Sequence, residues 1–452
     1  MKTVTTLGIG ALSLAVAASA SAGITSVGPD VIVGDLPNVS NYNAVGGMNA
    51  YSVGTTSCNI GDEELLWISN INQHPVIGQN LYRYHNGVMM QVGQSWLKHG
   101  FFALSGSLCD SCQGTAGSTL GVGCSDPYGS GLNGSQGGLG PRFEVNAYTG
   151  AYPYPFSNPQ GSSGNSIFKR LQVPLVDVLP SEVPGAIFYI EGQYVTPDDA
   201  AAQNHYNNAS YRRVNMSSNG NITITGSFQT VREQPAIMAW AAVDPDATVV
   251  PMDVQNEGRF HLGTKVIDNG DGTWTYHYAV HNLNSDRSIG SVSVNIPNGV
   301  NVTDIGFHDV HYHSGEPFDG TDWPGAVSGG TLTWATDSFA QNANANAIRW
   351  GTMYNFWYTA DAAPELTSAN FGLFKPGGIG SVDSIRGRVP TPMGASICLG
   401  DCDGSGTIDF NDLVEMLFAF GPNSGDACDT DESGAVDFND LVATLFLFGP
   451  CN

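Results

Sequence analysis

One acidic phrase is written twice near the carboxyl end of this chain. It reads Asp401-Cys-Asp403-Gly-Ser405-Gly406-Thr407-Ile-Asp409-Phe410-Asn411-Asp412, and again 28 residues later Asp429-Thr-Asp431-Glu-Ser433-Gly434-Ala435-Val-Asp437-Phe438-Asn439-Asp440. Nothing else in the 452 residues restricts the local fold so tightly. Side-chain oxygens at loop positions 1, 3, 5, 9 and 12, with glycine at 6, wrap a hard cation in oxygen. Each loop also crowds four aspartates into twelve residues. Like charges about 4 Å apart repel by about 1 kcal/mol even in water, so such a turn stays open until a cation neutralises it. The expected ligands of one Ca2+ are Asp401, Asp403, Ser405, Thr407, Asp409 and Asp412, with Thr407 giving its carbonyl. Those of a second Ca2+ are Asp429, Asp431, Ser433, Ala435, Asp437 and Asp440. Gly406 and Gly434 permit the sharp turn. Ile408 and Val436, at position 8, are expected to pair the two loops through a short strand contact. Aspartate rather than the longer glutamate at position 12 predicts moderate affinity.

Each loop leads into the same amphipathic segment, Leu413-Val414-x-x-Leu417-Phe418-x-Phe420-Gly421-Pro422 and Leu441-Val442-x-x-Leu445-Phe446-x-Phe448-Gly449-Pro450. Apolar residues at i, i+1, i+4 and i+5 mark one helix face, and Gly-Pro is a stop signal. No helix precedes the first loop, because Pro390, Pro392 and Gly394 interrupt the approach. Loop, helix and stop repeating in register make residues 396–452 resemble a dockerin domain, a duplicated EF-hand-type calcium loop that lacks the leading helices of a full EF-hand pair. The resemblance implies docking rather than catalysis, with a cohesin-like or surface-anchored protein as partner. In that family loop positions 10 and 11 choose the partner. Here they are Phe410-Asn411 and Phe438-Asn439, where the family favours small hydroxyl residues. The two phenylalanines therefore have two readings, contact surface or core of the small domain.

The other end of the chain indicates a compartment. Lys2, an apolar stretch from Leu7 to Ala18 and Ala20-Ser21-Ala22 before Gly23 have the form of a secretory signal. The mature protein is expected to begin near Gly23, and no segment has the roughly twenty apolar residues of a membrane span. Charge agrees with an exported protein and excludes nucleic acid as a partner: residues 396–452 carry −11 with no lysine or arginine, and the rest carries −14.

Eight cysteines in an exported chain read as disulfides before metal ligands. Cys402 beside one loop start and Cys428 beside the other form one expected pair, and Cys398 with Cys451, joining the domain ends, forms another. Cys58, Cys109, Cys112 and Cys124 belong to the body, where Cys109-x-x-Cys112 also admits a zinc knuckle.

The body reads as mainly β, a β-sandwich-like fold with Gly-rich, disulfide-pinned loops, followed by a small all-α calcium-binding domain. Expected boundaries are a signal peptide 1–22, an N-terminal β-rich domain 23–243, a β-sandwich 244–376, a linker 377–395 and the tail 396–452. A hairpin runs from Phe260 to Asn282 around the turn cluster Asp268-Asn269-Gly270-Asp271-Gly272. Further alternating runs are Ser291 to Ile296, Thr331 to Ala335 and Ala347 to Tyr358. Ala186 to Val195 reads as a buried strand, and Thr196-Pro197-Asp198-Asp199 as a helix start. Eleven glycines and three cysteines between Ser105 and Gly140 predict a long surface loop. Within it Gly129-Ser-Gly131-Leu-Asn-Gly134 matches a dinucleotide fingerprint in letters only, with no strand expected before it and no helix after.

No nucleophile elbow, His-Glu-x-x-His or phosphate loop occurs in the chain. Paired carboxylates for glycoside cleavage need only meet in space, and Glu63, Glu64, Glu144, Glu191, Asp244, Glu257 and Glu316 are candidates. His308, His311 and His313 form a second constellation, with three nitrogens suited to zinc or copper on a bulged strand and His277 and His281 able to join from a neighbour. Its alternative is a histidine-rich sheet face. A third cluster, His74, Tyr82, Tyr84, His85, Trp96 and His99, pairs rings with amides in a manner suited to sugar. The leading reading is a secreted, calcium-dependent attachment protein whose body binds or displays a ligand, with polysaccharide as the candidate. A polysaccharide-degrading hydrolase carried by the tail is the alternative, and a metal-dependent enzyme using the histidines is the third.

Overall fold

Alternating apolar residues and closely spaced turns build a protein that is mainly β, with short helices, as the patterning predicts. The computed structural model describes residues 24–394, 399–403, 405–422, 427–431 and 433–450, so the expected signal segment 1–22 and the Cys398–Cys451 pair lie outside the described residues. The chain divides into two discontinuous units, one formed by residues up to 79, 95–172 and 189–235, the other by 80–94, 173–188 and 236 onward.

In the first unit Thr55–Asn59 is the middle of a three-stranded antiparallel sheet between Val31–Asp35 and Ser125–Tyr128. All five residues of the middle strand are buried. The glycine-rich stretch 105–140 is thus not one long loop. Ser125–Tyr128 pairs with Thr55–Asn59, because the glycines stop short of it and leave four residues able to join a ladder. Gly129 to Gly134 therefore does follow a strand and does enclose a helix, contrary to the sequence reading, but that helix is one turn, Ser130–Asn133. Disulfides Cys58–Cys109 and Cys112–Cys124 use all four body cysteines, which removes the zinc-knuckle alternative. The strand Ile187–Val195 and the helix Pro197–Ala201, with Thr196 at its N-cap and proline at N1, form where the sequence places them.

In the second unit two five-stranded antiparallel sheets share one core. The first runs Thr248–Val254, Gly258–Asp268, Trp274–Asn282, Thr352–Ala360, Val302–His308. The second runs Gly325–Ser328, Thr331–Ala335, Ile289–Asn295, Pro364–Leu373, Ser384–Pro392. Residues alternate across each strand, so Phe260, Leu262, Tyr276, Tyr278, Tyr354 and Phe356 meet Val292, Val294, Leu332, Trp334, Phe371 and Val389 between the sheets. Tyr276 stacks on Tyr358 with centroids 4.9 Å apart, and the Tyr278 hydroxyl donates across to the Pro390 carbonyl at 2.6 Å. The stretch 377–395, expected as a linker, contains the edge strand Ser384–Pro392, paired along its whole length with Pro364–Leu373. Proline is tolerated there because an edge strand has one unpaired side.

Candidate metal centre

The tail folds as two copies of one unit. In each, the first aspartate gathers backbone N–H groups and so closes the loop. Asp401 accepts from Ser405 N at 2.9 Å and Gly406 N at 2.9 Å, and Asp429 accepts from Ser433 N and Gly434 N at the same 2.9 Å. The last aspartate reaches back across the turn. Asp412 accepts from Asp403 N at 3.1 Å and Asp409 N at 2.7 Å, and Asp440 from Asp431 N at 3.0 Å and Asp437 N at 2.7 Å. Gly406 and Gly434 take φ of 79° and 90°, as the sharp turn requires.

These contacts bring carboxylate oxygens of Asp401, Asp403 and Asp412 within 4.8 Å of one another, and likewise those of Asp429, Asp431 and Asp440. Each set can hold a metal ion. Asp401, Asp412, Asp429 and Asp440 are buried, an unfavourable place for uncompensated charge. Burial alone would raise Asp440, but the N–H groups of Asp431 and Asp437 outweigh it and hold the carboxyl below its ordinary value. The N–H groups of the loop thus favour the ionised form of Asp440.

Other expected ligands have other partners. Asp409 and Asp437 are N-caps: each accepts from the N–H two residues on, Asn411 or Asn439, at 2.7 Å, and closes a capping box with Asp412 or Asp440. Neither belongs to the converging sets. The hydroxyls of Ser405 and Ser433 donate to the carbonyls of Thr407 and Ala435 at 3.0 and 3.1 Å, which ties position 5 to position 7 in both loops. The capping role has a sequence signal, an aspartate three residues before a second acid at a helix start.

Two local expectations are corrected. Ile408 and Val436 do not pair with each other. Ile408 pairs with Gly449 and Val436 with Gly421, so each Gly-Pro stop clasps the loop of the other repeat. Gly421 and Gly449 have φ of 143° and 147°, positive values that residues with side chains rarely adopt, which is why glycine stands at both crossovers. The apolar helix face is also divided differently. In Phe410–Phe418 the inward residues are Leu413 and Met416, while Val414, Leu417 and Phe418 face outward. Phe410 and Phe438 are 70% and 69% exposed, and Phe418 and Phe446 are 82% and 84% exposed, so these rings are surface and not core. Cys402 and Cys428 form the expected disulfide between the loop starts.

The histidine constellation does not converge. The strand ends at His308, whose Nε2 lies 3.1 Å from the Gln91 carbonyl, and His313 Nε2 lies 2.9 Å from that of Gln94. His311 is exposed. The third cluster breaks up too: His74 Nε2 meets His99 Nδ1 at 2.9 Å among Tyr152, Tyr154 and Phe156, while the Tyr84 hydroxyl donates to Asp244 at 2.8 Å. Several acids proposed for glycoside cleavage have structural partners. Asp244 is ion-paired with Lys265, Glu257 accepts from Arg287 at 2.6 Å, Glu144 accepts from Ser157 N, and Glu64 accepts from Thr119 at 2.7 Å. Among the described residues, three or more His, Cys, Asp or Glu donors converge only in the two tail loops, and no helix is long and apolar enough to cross a membrane. Compared with known proteins, the chain matches no family model and none of the curated sequences.

Proposed function

We propose that this is a secreted attachment protein whose tail binds two calcium ions and, in that state, docks on a cohesin-like or surface-anchored protein module. The observation that carries the reading is the coincidence of two features in one repeat. Three carboxylates, two of them buried, converge in each loop where a hard cation takes oxygen ligands, and the helices that those loops start turn phenylalanines outward. An exposed apolar surface of this kind marks a protein interface, and both loops of the repeat build it alike. The remainder of the chain is the cargo, with polysaccharide as its candidate ligand. The disulfides accord with an oxidising, extracellular setting.

Capture by the full-length protein from the producing cell's envelope, with calcium and with chelator, tests the reading. Capture of one defined partner that requires calcium and is lost in Phe410→Asp/Phe438→Asp supports it. Capture indifferent to calcium, or unchanged in that variant, contradicts it.

A further inference from the structure

The hairpin Gly258–Asp268 and Trp274–Asn282 sets His261 directly opposite His281, and the next strand sets Met353 directly opposite His281. Directly opposed residues share a face, so the three side chains form one cross-strand row. They alternate with Phe260, Leu262, Val280 and Tyr354, which enter the sandwich core, and so lie on the opposite face of the sheet. That face is also closed: His281 and Met353 are fully buried and His261 nearly so. The two imidazole centroids are 5.7 Å apart.

What distinguishes this row is its unmet polar atoms. Both ring nitrogens of His281 and Nδ1 of His261 are buried without a hydrogen-bond partner. Each such atom has given up water without a replacement partner, which disfavours leaving it so. His308 and His313, by contrast, have carbonyl partners. A proton does not relieve the deficit, since burial, with the charge of Arg259, pulls His261 down to about 4, and burial beside His261 pulls His281 well below its ordinary range. A neutral imidazole keeps a lone pair on one of its ring nitrogens.

We propose that His261, His281 and Met353 form a buried three-coordinate site for monovalent copper. Two imidazoles and a thioether are a soft donor set, and thioether ligands select Cu(I) over the hard cations the tail would take. The neighbouring acid, Asp253, is already paired with Arg259 at 2.7 Å, so the row has no spare negative charge and suits a single rather than a double positive charge. Side chains opposed across strands stand about 4.5–5.5 Å apart, a span that donors on either side of one ion bridge.

The full-length protein, titrated without oxygen against Cu(I) held by bicinchoninate, tests the site. One equivalent is expected to transfer, with X-ray absorption showing two nitrogen scatterers and one sulfur. Met353→Leu conserves volume and keeps the fold, and it is expected to lose the sulfur scatterer and weaken binding by about tenfold or more, since even outer-shell changes cost that much. His261→Gln is expected to abolish transfer, and His311→Ala to leave it unchanged. Failure of folded wild-type protein to take copper overturns the proposal. So does Met353→Leu binding with unchanged affinity and an unchanged absorption spectrum.

Discussion

The sandwich and the tail solve the problem of holding strands and helices together in opposite ways. Between the two sheets, large rings such as Tyr276, Tyr278, Trp334, Tyr354 and Tyr358 are almost wholly removed from water, and burial of this kind contributes about 1.5–3 kcal/mol for each such side chain. In the tail the described cluster is only Met416, Cys428 and Val436, with Cys402, Ala419 and Leu441 packed against it. Its largest apolar side chains face solvent instead. A unit this small needs staples, and it has a disulfide between its loop starts and two sets of converging carboxylates. The contrast teaches that the tail leaves its largest apolar side chains outside a small core, where a disulfide joins the two loop starts.

Chelation should separate the two regions most sharply. With calcium removed from the full-length protein, hydrogen-exchange protection is expected to collapse over residues 399–450 and to stay unchanged in strands 258–392. Equal loss in both would erase the contrast. The converse lesion is Trp334→Ala, expected to lower the stability of the sandwich by about 3–5 kcal/mol while leaving the ion titration of the tail untouched. Next comes Cys402→Ser/Cys428→Ser, expected to cost the tail about 2–4 kcal/mol and to raise the calcium needed to order it. Gly421→Ala should cost about 1–3 kcal/mol through its strained positive φ, and it should weaken ion binding in the second loop, which Gly421 clasps through Val436.

The smallest effect concerns a carboxylate with the reverse electrostatics of Asp440. Asp199 is fully buried, and burial raises it well above its ordinary value of 3.8 despite hydrogen bonds from Asn208 and Val31 N. The folded state therefore holds this proton more tightly than the unfolded chain. Its stabilising contribution is complete below pH 3.8 and is lost as pH rises through the raised folded value. Asp199→Asn removes that slope, and a flip of Asn208 would give its unpartnered Oδ1 the new amide N–H. Thermal melts across pH should show the variant gaining on wild type as pH increases.

Much of this was legible where local chemistry decides. The loop glycines, the helix starts after Asp409 and Asp437, the hairpin around residues 268–274 and the Cys402–Cys428 pair all follow from short-range spacing. Ser125–Tyr128 and Ser384–Pro392 were hidden because glycine or proline surrounds or interrupts them and long-range pairing overrides that weak propensity. Which tail residues face inward was equally hidden, since helical periodicity identifies an apolar stripe but not what covers it. The His261–His281 row needs one further step, since residues equidistant from the hairpin turn oppose each other across it. Asn86-Gly87, with φ of 51° and 82°, is a hairpin turn signal between Val76–His85 and Val88–Gln94 that spacing alone would have found.

The most direct test is calorimetric titration of the full-length protein with calcium at extracellular, millimolar concentrations. Uptake of two ions, lost one loop at a time in Asp401→Ala and Asp429→Ala and accompanied by ordering of residues 399–450, is the predicted result. No heat of binding, or binding that survives both substitutions together, would contradict the account.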